Sequence, residues 1–130
     1  MGEGNAVWPL VLEKAFAKMQ GNYLNITSGS SSMGMRYLKG GPWDEVDTMY
    51  MSPDQIFNYI AEQLSAGHNV TTGAGKGKTM TDAWGIVKDH AYTVSGVVTV
   101  NKNGDKLIKC RNPWGEDSYF GLYGAFSPQA

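Results

Sequence analysis

Two β-like runs joined by an Asn-Gly turn constrain the fold more than any other feature of the sequence. Residues 91–100 are rich in Val, Thr and Tyr, and Leu107 to Cys110 form a second, shorter run. Such residues favour strands, and Asn103-Gly104 between the runs is a strong hairpin signal. The sequence therefore predicts an antiparallel hairpin whose open end carries the residues just before the first run and just after the second.

Two helices are predicted before the strands. The first runs from Trp8 to Gln20, with Pro9 in its first turn and Gly21 as its stop. We expect its apolar face to be buried, and that face contains Trp8, Leu12, Ala15, Phe16 and Met19. Residues 27–32 follow as a polar Ser- and Gly-rich loop, and residues 40–43 form a further break.

The second helix has a clear start. Ser52 is placed as its cap, Pro53 as its first residue, and Gln55 completes a capping box. Its expected buried face contains Ile56, Phe57, Ile60 and Leu64, and Gly67 ends it.

Further strands are predicted at residues 68–72 and 119–123. Helices first and antiparallel strands later indicate an α+β domain. A length of 130 residues with 42% apolar residues is enough for one domain with a core.

Charge and cysteine content narrow the class of protein. A net charge of -1 argues against nucleic acid or an anionic membrane as the main partner. No apolar run is long enough to form a transmembrane segment, and the first residues do not resemble a signal peptide. The one cysteine cannot form an internal disulfide, which fits a reducing, cytoplasmic location.

His90 and Asn112 flank the two runs and should lie toward the same open end of the hairpin. An amide oxygen can accept a hydrogen bond from one ring N–H and aim the other ring nitrogen outward, where it can take a proton from a thiol. Trp114 would shield that hydrogen bond from water. Residue types and spacing alone favour the alternative, an ordinary hydrogen-bonded pair without a catalytic role.

The residues around this pair resemble the calpain family of cysteine proteases. Residues 89–94 read Asp-His-Ala-Tyr-Thr-Val, close to the family motif Gly-His-Ala-Tyr-Ser-Val, and residues 111–116 read Arg-Asn-Pro-Trp-Gly-Glu, as in the family. The Trp-Pro start and the Leu-Glu-Lys-Ala run of residues 8–15 match as well, and so does Gly40-Gly41. The resemblance extends from about Trp8 to Tyr123 and covers the second half of the family's catalytic core.

The resemblance implies that residues 1–130 form a single domain, the histidine- and asparagine-bearing subdomain. Its fold would be N-terminal helices packed on a twisted antiparallel sheet or half-barrel, as in papain-like proteases. By carry-over from the family motifs, His90 is the general base, Asn112 orients it and Trp114 shields the pair. Gly29 matches a glycine whose backbone lines the substrate cleft. Asp89 stands where the family usually has glycine on the cleft wall, so we expect it to alter substrate specificity.

The resemblance also implies what lies outside this chain. The nucleophilic cysteine belongs to a first subdomain that would be the partner of this one in the same protein, a calpain-like endopeptidase acting on protein or peptide substrates. The isolated chain should be inactive, and Cys110 is interpreted as a small core residue. The alternative is a non-catalytic, calpain-like regulatory or binding module.

Metal and phosphate sites are not expected here. Family members often bind Ca²⁺ through oxygen ligands, but one ligand position falls on Ser118 and residues 122–130 contain no acid. We therefore assign no cofactor to this chain. Residues 72–79 resemble a phosphate-binding loop, yet Thr72 occupies a required glycine position, so they are interpreted as a mobile glycine-rich loop. His68 lacks neighbours at metal-ligand spacing.

Overall fold

The structure, a computed structural model, describes residues 6–75, 81–100, 103–116 and 118–124. The α-helices and β-strands in chain order are α1 (Trp8–Met19), α2 (Ser31–Lys39), α3 (Pro53–Ser65), β1 (Val70–Gly73), β2 (Ala91–Val100) and β3 (Asp105–Arg111), and short 3-10 helices occur at Tyr23–Ile26 and Thr48–Tyr50. This is an α+β fold, as predicted. The chain divides into two compact units, one ending at Glu45 and the other beginning at Val46.

In the first unit, α1 forms where the sequence predicts it, but the prediction of its buried face is wrong. Trp8 is 67% exposed and Met19 is 62% exposed, whereas Ala17 is the buried residue of the helix. Phe16 alone of the predicted face is partly covered, because its ring meets the edge of Tyr37 from α2 at a centroid distance of 5.6 Å. Among residues 6–45, which the structure describes in this unit, no element covers the rest of that face.

The helix α2 was missed by the sequence analysis, which placed part of it in a polar loop. Ser30 caps it, because its hydroxyl accepts a hydrogen bond from the Ser32 N–H at 3.3 Å. Gly40 ends it in the left-handed conformation at φ +65°, with its N–H donating to Arg36 O. Serine and glycine are typical of helix ends as well as of loops, so their presence alone did not distinguish the two.

The first α-helix of the second unit is α3, and its predicted capping box is confirmed. The Gln55 N–H donates to Ser52 Oγ at 3.2 Å, and the Ser52 N–H donates to Gln55 Oε1 at 2.8 Å. Ile60 is buried, and Ile56, Phe57 and Leu64 are half-buried. Lys106 of β3 ties the helix to the sheet, since its Nζ lies 2.7 Å from Asp54 Oδ1 and 5.5 Å from the Phe57 ring centroid.

The sheet has the order β1-β2-β3, and both pairs are antiparallel. The predicted hairpin is confirmed: Val100 faces Asp105, and the Gly104 N–H donates to Val100 O at 2.8 Å. Gly104 has φ +72°, which glycine adopts without strain. Val94, on the central strand, is buried between Val70 and Cys110. The sheet thus brings the ends of all three strands near His90.

The strand predicted at residues 119–123 is absent. Phe120 makes one backbone hydrogen bond, from its N–H to Trp84 O at 3.1 Å, and the chain then turns so that the Gly124 N–H reaches Gly121 O. Two glycines three residues apart favour this turn over extended pairing. The core of the phosphate-loop resemblance, residues 76–80, lies outside the described residues. In the part of the chain that the structure describes, no helix has the length and apolarity needed to cross a membrane.

The capping box yields a stability prediction. Ser52→Ala removes the side-chain acceptor of the Gln55 N–H and should lower the free energy of unfolding by about 1 kcal/mol in urea denaturation. Ser65→Ala is the matched control, because the Ser65 hydroxyl only donates back to Ala61 O within the last turn of the same helix. Equal losses for the two variants would show that the cap contributes nothing specific.

Candidate active site

A β-bulge in the hairpin sets which residues share a face near His90. Gly96 pairs with Lys109 and Val94 pairs with Cys110, so Ser95 is an extra residue on β2. Its hydroxyl donates to Lys109 O at 3.2 Å. A bulge of this kind lets one strand carry one more residue than its partner while pairing resumes beyond it.

The bulge decides where Asn112 lies. Past it, Thr93 pairs with Arg111, and continuing this register places Asn112 opposite Tyr92, on the face that also carries His90. A regular ladder without the bulge would place Asn112 opposite Thr93, on the other face, because side chains alternate along a strand. The extra residue therefore allows His90 and Asn112 to meet.

His90, Asn112 and Trp114 form one cluster. The sequence predicted that these three side chains would be neighbours. His90 Nε2 lies 2.8 Å from Asn112 Oδ1, and both residues are half-buried. The Trp114 ring lies against the imidazole at a centroid distance of 4.2 Å and a tilt of 46°. Trp114 is nevertheless 54% exposed, so it covers the imidazole from one side only.

The hydrogen bonds fix the proton position on the neutral imidazole. Asn112 Oδ1 also accepts the Trp114 backbone N–H at 3.1 Å. An amide oxygen cannot donate, so Nε2 must carry the hydrogen that it shares with this oxygen. Nδ1 then holds the free lone pair, and none of the hydrogen bonds found among the described residues engages it. The arrangement presents a base at Nδ1.

Tyr92 also belongs to this cluster, although no role for it was predicted from the sequence. Its ring meets the imidazole of His90 edge-on, at a centroid distance of 5.0 Å and an angle of 87°. Its hydroxyl accepts the Val87 N–H at 2.9 Å. The spacing of two residues from His90 was the available signal, because residues i and i+2 of a strand share a face.

A tight turn lies beside the cluster. Asp82 Oδ1 accepts the backbone N–H groups of Trp84 and Ile86 at 2.8 and 2.9 Å. Gly85 has φ +87°, and a Cβ at this position would collide with the backbone of Ser118. The Ser118 hydroxyl donates to Gly85 O at 2.7 Å, which closes the turn.

The contacts of Ser118 bear on the Ca²⁺ ligand position that the family resemblance assigns to it. Its hydroxyl is neutral and donates to a carbonyl, whereas Ca²⁺ takes six to eight oxygen ligands that include carboxylates. The described residues include no cluster of three acidic, His or Cys side chains that would hold a metal. Asp117, beside Ser118, lies outside the described residues.

The two predicted substrate-binding residues lie in different units. Asp89 is exposed and adopts φ +50°, the left-handed conformation. Gly29 is exposed in the first unit and lines a shallow cavity of about 240 Å³ with Phe16, Ser30 and Met33. Its place on a substrate cleft stays a prediction.

The interpretation of Cys110 as a core residue is wrong. The residue is exposed, on the outer strand β3. The surrounding strands still remove enough water from the thiol to raise its pKa above the ordinary value. Fewer thiolates at neutral pH make Cys110 a poor nucleophile.

The backbone at Asp89 predicts unequal effects of two substitutions. Asp89→Ala should lower the free energy of unfolding by about 1 kcal/mol, because a Cβ without a compensating polar group strains the left-handed conformation. Asp89→Gly should cause no such loss, because glycine adopts this conformation freely. Both values can be measured by urea denaturation, and a loss as large for Gly as for Ala would contradict the backbone argument.

The raised pKa of Cys110 predicts slow alkylation. At pH 7 iodoacetamide should modify the folded chain more slowly than the same chain in urea, and the folded rate should keep rising at a pH where the unfolded rate has levelled off. The sign follows because a raised pKa means less thiolate at a given pH. Mass spectrometry of quenched samples gives both rates. Faster reaction of the folded chain would instead mark Cys110 as an activated thiol.

Comparison with known proteins places this chain in a family. The family model described as calpain family cysteine protease matches residues 1–129. The chain is 36% identical to calpain-8 of Rattus norvegicus over 98% of its length, and 34% identical to the calpain-2 catalytic subunit of Gallus gallus over 97%. It is 33% identical to calpain-9 of Mus musculus over 96%. In each case it spans 19% of the relative's length. The chain belongs to the calpain family of cysteine proteases.

Proposed function

We propose that this chain is the histidine- and asparagine-bearing subdomain of a calpain-like cysteine endopeptidase that cleaves proteins or peptides. The observation that carries the proposal is the paired hydrogen bonding of Asn112 Oδ1, which accepts from both His90 Nε2 and the Trp114 N–H. It holds the imidazole in the tautomer that leaves a base at Nδ1. Membership of a protease family supports a role for that base in peptide-bond hydrolysis.

The proposed reaction uses a cysteine from the remainder of the protein. Nδ1 of His90 takes the thiol proton, and the thiolate attacks the carbonyl carbon of the peptide bond. The resulting imidazolium gives that proton to the departing amine, leaving an acyl-enzyme. Nδ1 then takes a proton from water, whose oxygen attacks the acyl carbon, and returns it to the departing thiolate. Asn112 remains bonded to the Nε2 hydrogen throughout.

Cys110 does not fill the role of this nucleophile. It lies on β3, and its pKa is raised rather than lowered. A nucleophilic cysteine needs the opposite shift, which a neighbouring imidazolium or a helix N-terminus supplies. The 130-residue chain alone is therefore expected to be inactive, and its proposed partner is a cysteine-bearing subdomain of the same protein.

Two further parts of the proposal concern conditions and location. We propose that Ser118 is not a Ca²⁺ ligand, because its neutral hydroxyl donates to Gly85 O where a carboxylate would supply negative charge. The proposed location is the cytoplasm, where a reducing environment keeps a catalytic thiol free.

Substitution of His90 tests the proposal directly. In the longest natural protein that contains this chain, His90→Ala should lower kcat/KM for a peptide substrate by about 10²- to 10⁴-fold, because the acid–base group is lost. Asn112→Ala should lower it less, because the base remains but is no longer oriented. A fluorogenic peptide assay measures both effects.

The other histidine provides a matched control. His68 is exposed, and its Nδ1 contacts Gln63 Oε1 at 2.8 Å in the same unit. His68→Ala should leave kcat/KM unchanged. Equal activity of His90→Ala and the unsubstituted protein would refute the role of His90. A total lack of thiol-dependent activity in the unsubstituted protein would instead favour the non-catalytic module.

A further inference from the structure

Tyr92 contacts both the imidazole of His90 and the backbone of Val87 beside the neighbouring turn. The proposed reaction assigns no role to Tyr92. We propose that Tyr92 is a positioning residue for His90, and that its hydroxyl couples the imidazole to the turn held by Asp82. Its effect on catalysis rests on the proposed function, whereas its effect on the imidazole does not.

Two aromatic rings and one hydrogen bond hold the imidazole of His90 in place. Asn112 holds the ring at one atom, Nε2, which still allows the ring to swing about that hydrogen bond. Trp114 at 4.2 Å and Tyr92 at 5.0 Å contact the ring and limit this motion. Trp114 is the closer ring but is more than half exposed, whereas Tyr92 is half-buried, so the protein encloses more of the Tyr92 side chain.

The hydroxyl of Tyr92 is itself anchored by a backbone group. Its hydroxyl accepts the Val87 N–H at 2.9 Å, and Val87 is only 4% exposed. A backbone N–H in such a buried position needs an acceptor, so loss of the hydroxyl leaves it unsatisfied. The aromatic ring is therefore fixed at both ends, by its own strand and by Val87.

The position of Val87 depends on the turn that Asp82 holds. Asp82 Oδ1 accepts two backbone N–H groups of the turn, and the Asp82 N–H donates to Ile86 O at 2.9 Å. Thr81 and Val87 form an antiparallel bridge across its base. A change in this turn moves Val87, and through the Tyr92 hydroxyl it moves the support of the imidazole.

The imidazole can be observed directly. The chain has two histidines, so ¹⁵N–¹H spectra of the 130-residue chain report His90 and His68 side by side. In Tyr92→Phe we expect the His90 ring signals to shift or broaden as its tautomer preference and order weaken, while the His68 signals stay unchanged. Tyr50→Phe is the matched control, since Tyr50 is 88% exposed and loses the same hydroxyl. It should change neither histidine.

A coupling experiment tests the path through the hydroxyl. Asp82→Ala should perturb the His90 signals in the unsubstituted background and add nothing in the Tyr92→Phe background, because the connection is already cut. Equal Asp82→Ala effects in both backgrounds would overturn the coupling. Unchanged His90 signals in Tyr92→Phe, or equal changes at His68, would overturn the positioning role.

Activity separates this proposal from the proposed function. In the longest natural protein that contains the chain, Tyr92→Phe should lower kcat by about 2- to 10-fold with KM unchanged, as for one lost hydrogen bond acting through His90. A rise in KM alone would contradict positioning. If the unsubstituted protein has no activity at all, the proposed function fails, while the spectra still decide whether Tyr92 holds the imidazole.

Discussion

The carboxamide oxygen of Asn112 accepts hydrogen bonds from two groups, and the proposed chemistry depends on that oxygen. One donor, the Trp114 backbone N–H, cannot give up its hydrogen or turn into an acceptor. Its presence fixes the oxygen end of the amide toward the imidazole, and the oxygen then requires a hydrogen on Nε2 of His90. A main-chain N–H that follows β3, that of Trp114, thus determines which nitrogen of His90, just before β2, is basic. Because the amide is neutral, it orients the imidazole without adding a charge that would hold a proton there permanently.

Local signals in the sequence predicted local structure well. The Asn103-Gly104 turn and the Ser52 capping box were both found where the sequence indicated them, since each depends on a few adjacent residues. The buried face of α1 was predicted wrongly, because an apolar stripe on a helix does not show which element, if any, packs against it. Within the first unit that stripe stays open at Trp8 and Met19. The strand expected at residues 119–123 failed for a similar reason, since strand-forming residues need a partner strand and glycines there favour a turn.

The candidate site was predictable in its residues but not in its geometry. The two motifs identified His90 and Asn112 as candidate site residues. Contact between these two side chains, however, depends on the register of β2 against β3. That register changes by one residue at Ser95. Gly96 beside it is a local signal, because glycine within a strand often marks a bulge, but it does not specify the register. Counting back from Asn103-Gly104 in a regular ladder would have placed the two side chains on opposite faces. The long-range pairing of β2 with β3 thus decides whether two residues recognised from motifs come into contact.

The departure of Asp89 from the family motif has a physical explanation in the backbone. The carbonyl of His90 accepts the Ala74 N–H at 2.9 Å, so His90 already belongs to the paired edge of β1 and β2. The residue before it must redirect the chain from the Asp82 turn into this strand, and it does so at φ +50°. Glycine adopts that conformation without strain, and Asp and Asn are the other residues that tolerate it best. Aspartate is therefore among the least costly replacements for glycine here. Glycine would allow the same backbone conformation, and aspartate adds a charged side chain directly before His90 in the chain.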